Sequence, residues 1–388
     1  MRFPEFSGEW KNGTLQSVAI LSKGTGISKD QLSEEGFPCI LYGELYTKYR
    51  SEIIDTIISK TDIDPKKLVR SQSNDVIIPC SGESAVDIAT ARCVKQSNIL
   101  LGGDLNIIRL KGEHDGSFFA YQLNGKRKYD IAKVAQGVSV VHLYGEHLKG
   151  VKVNYPSAAE QKKISSLLAL IDQRIETQKK IIEDLKKLKD AICNLNFTSG
   201  SVLKLGNAGK FVRGLTYSAS DVIDYTIGTA VMRSNNISNG DPVNFEELVW
   251  VNKTPNHEQI LRSGDIVICM ANGSSPLVGK ASYYVDCGIE SATVGAFCGI
   301  YRSDNPLTKW LFQSKHYKKH IQRCIQGGNG AIANIYPEDI LAISFNIPCG
   351  YERVLNILNS LEEKYLLEQK LLSRYLGVKS YLLSRLFI

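Results

Sequence analysis

AQGVSVVHLYGEHLKGVKVNYP, residues 135–156, is written a second time in this chain as IQGGNGAIANIYPEDILAISFNIP, residues 325–348. Tyr144 falls over Tyr336, Glu146 over Glu338 and Pro156 over Pro348, which sets a period near 190 residues. Working outward, NDVIIPCSGES at 74–84 returns as GDIVICMANGS at 264–274, with Asp75 over Asp265. Further out, Lys23-Gly24 returns as Arg213-Gly214, each closing a short apolar segment. A repeat this long is a duplicated domain with its connecting element, since solenoid repeats are several-fold shorter.

Each copy opens with β-branched, alternating segments such as VIIPC and DIVICM, cut by Gly, Asn and Ser, which read as short strands and turns. After its proline each copy ends in one long helical pattern, and proline suits the opening of a helix. The first ladder runs Ile164, Leu168, Ile171, Ile175, Gln178, Ile182, Leu185, Lys189, Ile192, Asn196. The second runs Val354, Leu358, Leu361, Tyr365, Glu368, Leu372, Tyr375, Lys379, Leu382, Leu386. Spacing of four then three with mostly apolar rungs is a coiled-coil seam. Both ladders turn polar at the same rungs, Gln178 with Glu368 and Lys189 with Lys379, a device that sets register. A helix of about 40 residues is ~60 Å long. The expected fold is therefore α+β: two duplicated, strand-rich domains separated by two long helices that pair as an antiparallel coiled coil, with pseudo-two-fold symmetry. The boundaries are 1–155 and 198–348 for the domains, 156–197 and 349–388 for the helices. The alternative is that each helix simply packs on its own domain; Gly377, in the middle of the second helix, counts against the paired rod at ~1 kcal/mol.

The chain has 388 residues, 43% hydrophobic and 22% charged, enough to build more than one packed core. A net charge of +7 tilts the expected partners toward acidic molecules. Nine scattered cysteines include no CxxC pair, which excludes zinc-ribbon and thioredoxin-like chemistry and fits a reduced, cytoplasmic chain. RFPEFSGEW at 2–10 lacks an apolar signal core, and no stretch approaches the ~18 apolar residues of a membrane span.

Catalytic motifs are missing where they would be expected. GSSPLVGKAS at 273–282 imitates a phosphate loop, but Ser274 replaces the required glycine and Ala281 the magnesium-binding hydroxyl. NYPS at 154–157 has Tyr155 where an amino-methyltransferase carries proline. Glu362-Glu363-Lys364 lies in the helical seam rather than on a nuclease strand. His316 and His320 share a helix face without the intervening glutamate of a metalloprotease. No catalytic residue, metal ligand or cofactor site is expected.

Three stretches carry a family likeness: RFPEFSGEW, PSAAEQKKISSLLALIDQRIETQKKIIEDLKKLK at 156–189, and GNGAIANIYPEDILAISFNIP at 328–348. With the order domain, helix, domain, helix, the whole chain resembles the specificity subunits of type I restriction–modification systems. The second domain lies close to the family pattern. The first departs from it by a longer insertion between Tyr49 and Leu68 and a shorter loop at Gln136-Gly137. The resemblance implies that each domain is a target-recognition domain reading one half of a split site in double-stranded DNA. It implies that the helices set the gap and dock modification subunits, and that motor/nuclease subunits join for cleavage. S-adenosylmethionine, ATP and magnesium would belong to those partners. The competing expectation is a coiled-coil adaptor, or an inactive or orphan variant of the same fold that binds no DNA in a complex.

Reading duplex DNA needs cations for phosphates and polar side chains for base edges. The candidate cations are Lys23, Lys48, Arg50 and Arg70 in the first domain and Arg213, Arg233 and Lys280 in the second. GKRK at 125–128 adds Lys126 and Arg127, and KHYKKH at 315–320 adds Lys315 and Lys318, both just before the Gln-Gly loops. The candidate base contacts are the turns RSQS, SGES, RSNN and ANGSS, with Gln72, Ser81, Asn235, Asn236, Asn272 and Ser274. Gln136, His142, Tyr217, Gln326, Asn329 and Asn334 complete the set. Taken singly, Asn, Ser and Gly are also what turns require; taken as surfaces, these segments are where reading is expected.

Overall fold

The computed structural model describes residues 2–137, 140–224, 227–327 and 332–387. The contacts divide the chain into two units: residues 1–180 with 369–388, and residues 181–368. Each long helix is therefore shared between units, where the sequence reading gave the helices segments of their own. Four helices matter below: α1 (Gly116–Asn124), α2 (Ala158–Asn196), α3 (Lys315–Cys324) and α4 (Tyr351–Leu386).

The duplication is structural down to the register. In the first unit the strands β1 (Ala19–Lys23), β2 (Asp75–Pro79), β3 (Arg92–Val94) and β4 (Leu105–Leu110) order as β1-β4-β2-β3, with Ile53–Ile54 added at the β3 edge. In the second, β5 (Lys210–Arg213), β6 (Ile266–Cys269), β7 (Ala281–Tyr283) and β8 (Cys298–Arg302) order as β5-β8-β6-β7. Lys23 pairs with Asn106 as Arg213 pairs with Gly299. Both β2 and β6 are buried along their whole length, which is why they read as unbroken apolar runs rather than alternating ones.

Asp75 and Asp265, matched in sequence, hold the same ion pair. Asp75 accepts from Arg109 Nε at 3.0 Å and Nη2 at 2.8 Å, and Asp265 accepts from Arg302 at 2.8 and 2.6 Å. Gly24 and Gly214 are fixed by close approach: a Cβ there would lie 2.0 Å from the Gly102 carbonyl and 2.1 Å from that of Gly295. A second small sheet also recurs, Leu100–Leu101 beside Phe37–Ile40 in one unit and Ala292–Val294 beside Thr229–Met232 in the other, both parallel pairs.

Within each unit the helical segments run antiparallel and share the domain core. In the first, Ile164 and Leu168 of α2 and Leu382 and Leu386 of α4 are buried with Phe118 and Phe119 of α1, and Ile171 packs beside them. Ile175 is buried, and Leu372 and Tyr375 are half-buried. In the second, Cys193 of α2 and Leu358 of α4 join Trp310, Tyr317 and Ile321. There Tyr365 is buried and Ile182, Leu185 and Leu361 are half-buried. The ladder residues thus serve a helix pair and a domain core together.

Two of the polar rungs, Lys189 and Lys379, are held by buried carboxylates. Lys189, 3% exposed, donates to Glu362 at 2.8 Å, and its ammonium lies 4.8 Å from the Tyr365 ring centre. Lys379 bridges Glu52 and Asp172, each at 2.7 Å, while Tyr121 donates its hydroxyl to Asp172 at 2.7 Å. Among the described residues no helix is long and apolar enough to cross a membrane.

Candidate functional site

Strand direction sorts the candidate residues. Five residues of β2 span roughly 17 Å, so the turn before it and the turn after it lie at opposite ends of the sheet. The end after β2 carries a small hairpin in which Ser81–Gly82 pairs with Val141–His142. Gln136 and His142 exchange backbone hydrogen bonds of 2.9 and 2.7 Å and close the base of the Gln-Gly loop. Lys23, at the same end of the sheet, holds its ammonium 5.7 Å from the Tyr144 ring centre, and Tyr144 stacks on His142 at 6.2 Å.

The second unit repeats this. Ala271–Asn272 pairs with Ala333–Asn334, and Gln326 and Asn334 exchange backbone bonds of 2.9 Å each. Asn272 is held rigidly: its amide donates to Ser234 Oγ at 3.1 Å and its carbonyl oxygen accepts from Ser274 N–H at 2.9 Å. A pocket of about 400 Å³ opens here, lined by Tyr217, Arg233, Ser234, Asn272, Phe297 and Ile332 among others. Arg213, Arg233 and Asn235 are exposed, and Lys280 is half-buried. The sheet end with Lys23, Ser81, Gln136 and His142 therefore corresponds to the sheet end with Arg213, Tyr217, Arg233, Asn272, Ser274 and Gln326. Aromatic rings, cations and amides on a rigid hairpin can contact phosphates and base edges together.

Several expected contacts fall elsewhere. Asn236 is fully buried: its amide donates to the carbonyls of Asn244 and Glu246, and its oxygen accepts from Arg233 N–H. It shapes the RSNN turn from inside and offers no exposed atoms for a base edge. Arg70 and Gln72 sit at the opposite end of β2, where Asn74 accepts from Gly116 N–H at the start of α1. The RSQS serines are consumed there, Ser71 by Gln96 and Ile99, Ser73 by Lys95. Lys48 is bound to buried Glu44 at 2.7 Å and to Ser59. Arg50 lines a cavity with Asp55, Asp172 and Glu176, on the α2 side of its unit. Arg127 turns inward to Asn154 and Asp130. Lys126 is exposed on the turn that follows α1, where Gly125 abuts Leu383 of α4. Lys315 begins α3 with its N–H on Asn194 of α2, and Lys318 lies one turn on, half-buried. These basic clusters start beside the helices and lead toward the Gln-Gly loops rather than crowning them. Asn329 lies outside the described residues.

Three aromatic residues were not among the expected contacts. Tyr144 and Tyr336 are 45% and 47% exposed at the foot of the two loops, and their match in the repeat was the available signal. Phe297, 64% exposed, had none, because a lone Phe between two strand segments reads as core.

The electrostatics of the first unit concentrate on Lys379. Burial disfavours its charge, but Glu52 and Asp172 outweigh this and raise its pKa. Burial also opposes ionisation of Glu52, yet Lys379 and Arg92 hold its carboxyl below the usual range. Asp172 is pushed up by burial and by the neighbouring Glu52. Among the described residues no group of His, Cys, Asp and Glu side chains is placed to hold a metal ion.

Comparison with known proteins places these features. Residues 7–187 match the type I restriction modification DNA specificity domain. A 147-residue stretch is 32% identical to the EcoKI specificity subunit of Escherichia coli K12 and 31% identical to the StySPI specificity subunit of Salmonella potsdam. In each case it covers 35% of this chain and 30% of the relative, so the match spans about a third of those proteins. The fold is similar to that of the S subunit from M. genitalium, with a TM-score of 0.62 at 17% identity, over 100% of this chain and 99% of that one. It is also similar to a chain from a structure addressing complex assembly and conformational transition of the type I R-M system, with a TM-score of 0.55 at 11% identity, over 98% and 97%.

Proposed function

We propose that this chain, whose residues 7–187 match the type I restriction modification DNA specificity domain, is the sequence-reading subunit of a type I restriction–modification complex. The observation that carries this is the repetition of one surface: the same end of the same sheet, with its hairpin, Gln-Gly loop and exposed cations, occurs twice in one chain. A single reader needs one such surface, and a split target needs two.

In this reading the first domain contacts one half-site through Lys23, Ser81, Gln136, His142 and Tyr144. The second contacts the other through Arg213, Tyr217, Arg233, Asn272 and Gln326. Cations such as Arg213 position the phosphate backbone, and the amides and rings meet base edges. The helices α2 and α4 fix the gap between half-sites and carry the surface on which modification subunits dock. Methyl transfer, with S-adenosylmethionine, and cleavage, with ATP and magnesium, belong to those partners, and this chain transfers nothing itself.

The test is co-expression with a modification subunit followed by methylation-aware sequencing of host DNA. A two-part, gapped motif that needs both chains supports the reading. Co-purification without a motif identifies an adaptor or inactive variant, and methylation by this chain alone overturns the non-catalytic assignment. DNA affinity of the complex should also fall steeply with salt, because phosphate contacts release counterions.

A further inference from the structure

Phe297 stands in solvent on a main chain that cannot move it away. Its carbonyl accepts from Met270 N–H at 2.8 Å and Ala271 N–H at 3.1 Å, and Cys298 N–H closes the turn onto Gly295 at 2.8 Å. The side chain is nevertheless 64% exposed. A lone exposed apolar residue is ordinary on a protein surface, so its position has to decide what it means. That position is the rim of the pocket that Tyr217, Arg233 and Asn272 line, at the sheet end already assigned to DNA.

The first unit has a turn at the matching place in the sheet, with a different side chain on a different backbone. Cys80 N–H donates to the Asp104 carbonyl at 2.7 Å, as Met270 N–H does to that of Phe297. Asp104 sits there at φ +57°, a left-handed backbone that Asp tolerates and most side chains avoid. The position matched by this hydrogen bond thus carries an aromatic ring in one copy and a carboxylate in the other.

We propose that Phe297 is a specificity-determining residue that contacts a thymine C5-methyl in the half-site read by the second domain, whereas the first domain, with Asp104 in that place, makes no apolar contact there. The occupant is duplex DNA because Arg233 and Asn272 line the same pocket as the ring. A cation and a fixed amide suit an anionic duplex with hydrogen-bonding base edges, not an apolar partner. Within the major groove the thymine methyl is the apolar feature of the base edges. This rests on the DNA-reading function proposed above.

The experiment uses the full chain co-expressed with a modification subunit, as wild type, Phe297→Ala and Phe297→Leu. Sequencing should show that the Ala variant accepts other bases at one thymine of the second domain's half-site and leaves the other half unchanged. The Leu variant should retain part of the preference. With the purified wild-type complex, replacing that thymine by uracil should weaken binding about four-fold, the loss of one buried methyl-sized group. The Ala variant should not distinguish the two bases. The proposal is overturned if the Ala motif matches wild type, if both halves relax together, or if uracil is tolerated at every thymine, as an inserting wedge would allow. Loss of all methylation in both variants makes Phe297 structural and also overturns it. A wild type without any bipartite motif overturns the DNA-reading function itself, and this inference with it.

Discussion

At the scale of single residues, the buried ions are the most exposed to test. Lys189 and Glu362 are each 4% exposed at the side chain. Removing one partner of such a pair strands a buried charge, at roughly 3–5 kcal/mol, whereas replacing both is often close to neutral. Urea unfolding of the full chain should therefore show Lys189→Met strongly destabilised. The double variant Lys189→Met, Glu362→Gln should recover most of the loss, since the glutamine can still accept the Tyr283 hydroxyl that Glu362 accepts now. Equal loss in single and double variants would mean that the pair is not the source. Lys379 gives a pH dependence with a definite sign. Its folded pKa lies above 10.5, so its contribution is complete below pH 10.5 and lost as pH rises through the higher folded value. Buried tyrosines such as Tyr121, raised by burial, lose stability in the same range, so the readout is a difference. The melting temperature of wild type minus that of Lys379→Met should shrink above about pH 10.5.

At the scale of elements, the same lysines show what the sequence could and could not say. The helices were legible in α2 and α4 because a period of 3.5 over ten rungs has few other meanings. The coincident polar breaks pointed to a register device, and at one of the two rungs both lysines, Lys189 and Lys379, are held in ion pairs. What the ladder could not say is that its rungs also fill a domain core, because Phe118 and Trp310 lie far away in sequence. The strand pairs followed from apolar runs, and the duplication from matched motifs, so the matching sheet ends were legible as turns. Which residues of those turns face outward was not. Asn235 and Asn236 are chemically identical neighbours, one exposed and one fully buried, and only the fold of the turn separates them. Likewise Gln72 and Ser81 look equivalent until strand direction puts them at opposite ends. The helical element carries its own prediction. Inserting one heptad into the exposed stretch of α2 should lengthen the unspecified gap of the methylated motif and leave both half-sequences as they were. A change in either half-sequence would show that α2 positions the reading surfaces themselves rather than their spacing.

At the scale of the whole molecule, duplication makes the two proposed reading surfaces separable. Sheet order, hairpin, ion pair and Gln-Gly loop recur in each unit with its own core, and each ion pair closes within its own unit. Interactions that do not share partners contribute nearly independently. If reading follows the same rule, a domain can be replaced without disturbing its counterpart. Exchanging residues 200–347 for the second domain of another family member should therefore change one half of the methylated motif completely. The other half, and the gap, should stay as they are. The junctions suit the exchange: residue 200 precedes the strand Ser201–Lys204, which pairs with Ser344–Ile347, so both strands of that pair travel together. The segments of α2 and α4 outside the exchange keep the Lys189–Glu362 pair. The incoming domain must supply the partners that the retained helices now find in the exchanged segment: Tyr283 for Glu362, Asp241 for Tyr365, and the apolar side chains packed on Cys193 and Leu358. A chimera that folds but alters both halves would mean that the domains read DNA as one surface, and the duplication would then be a trace of ancestry rather than the basis of recognition.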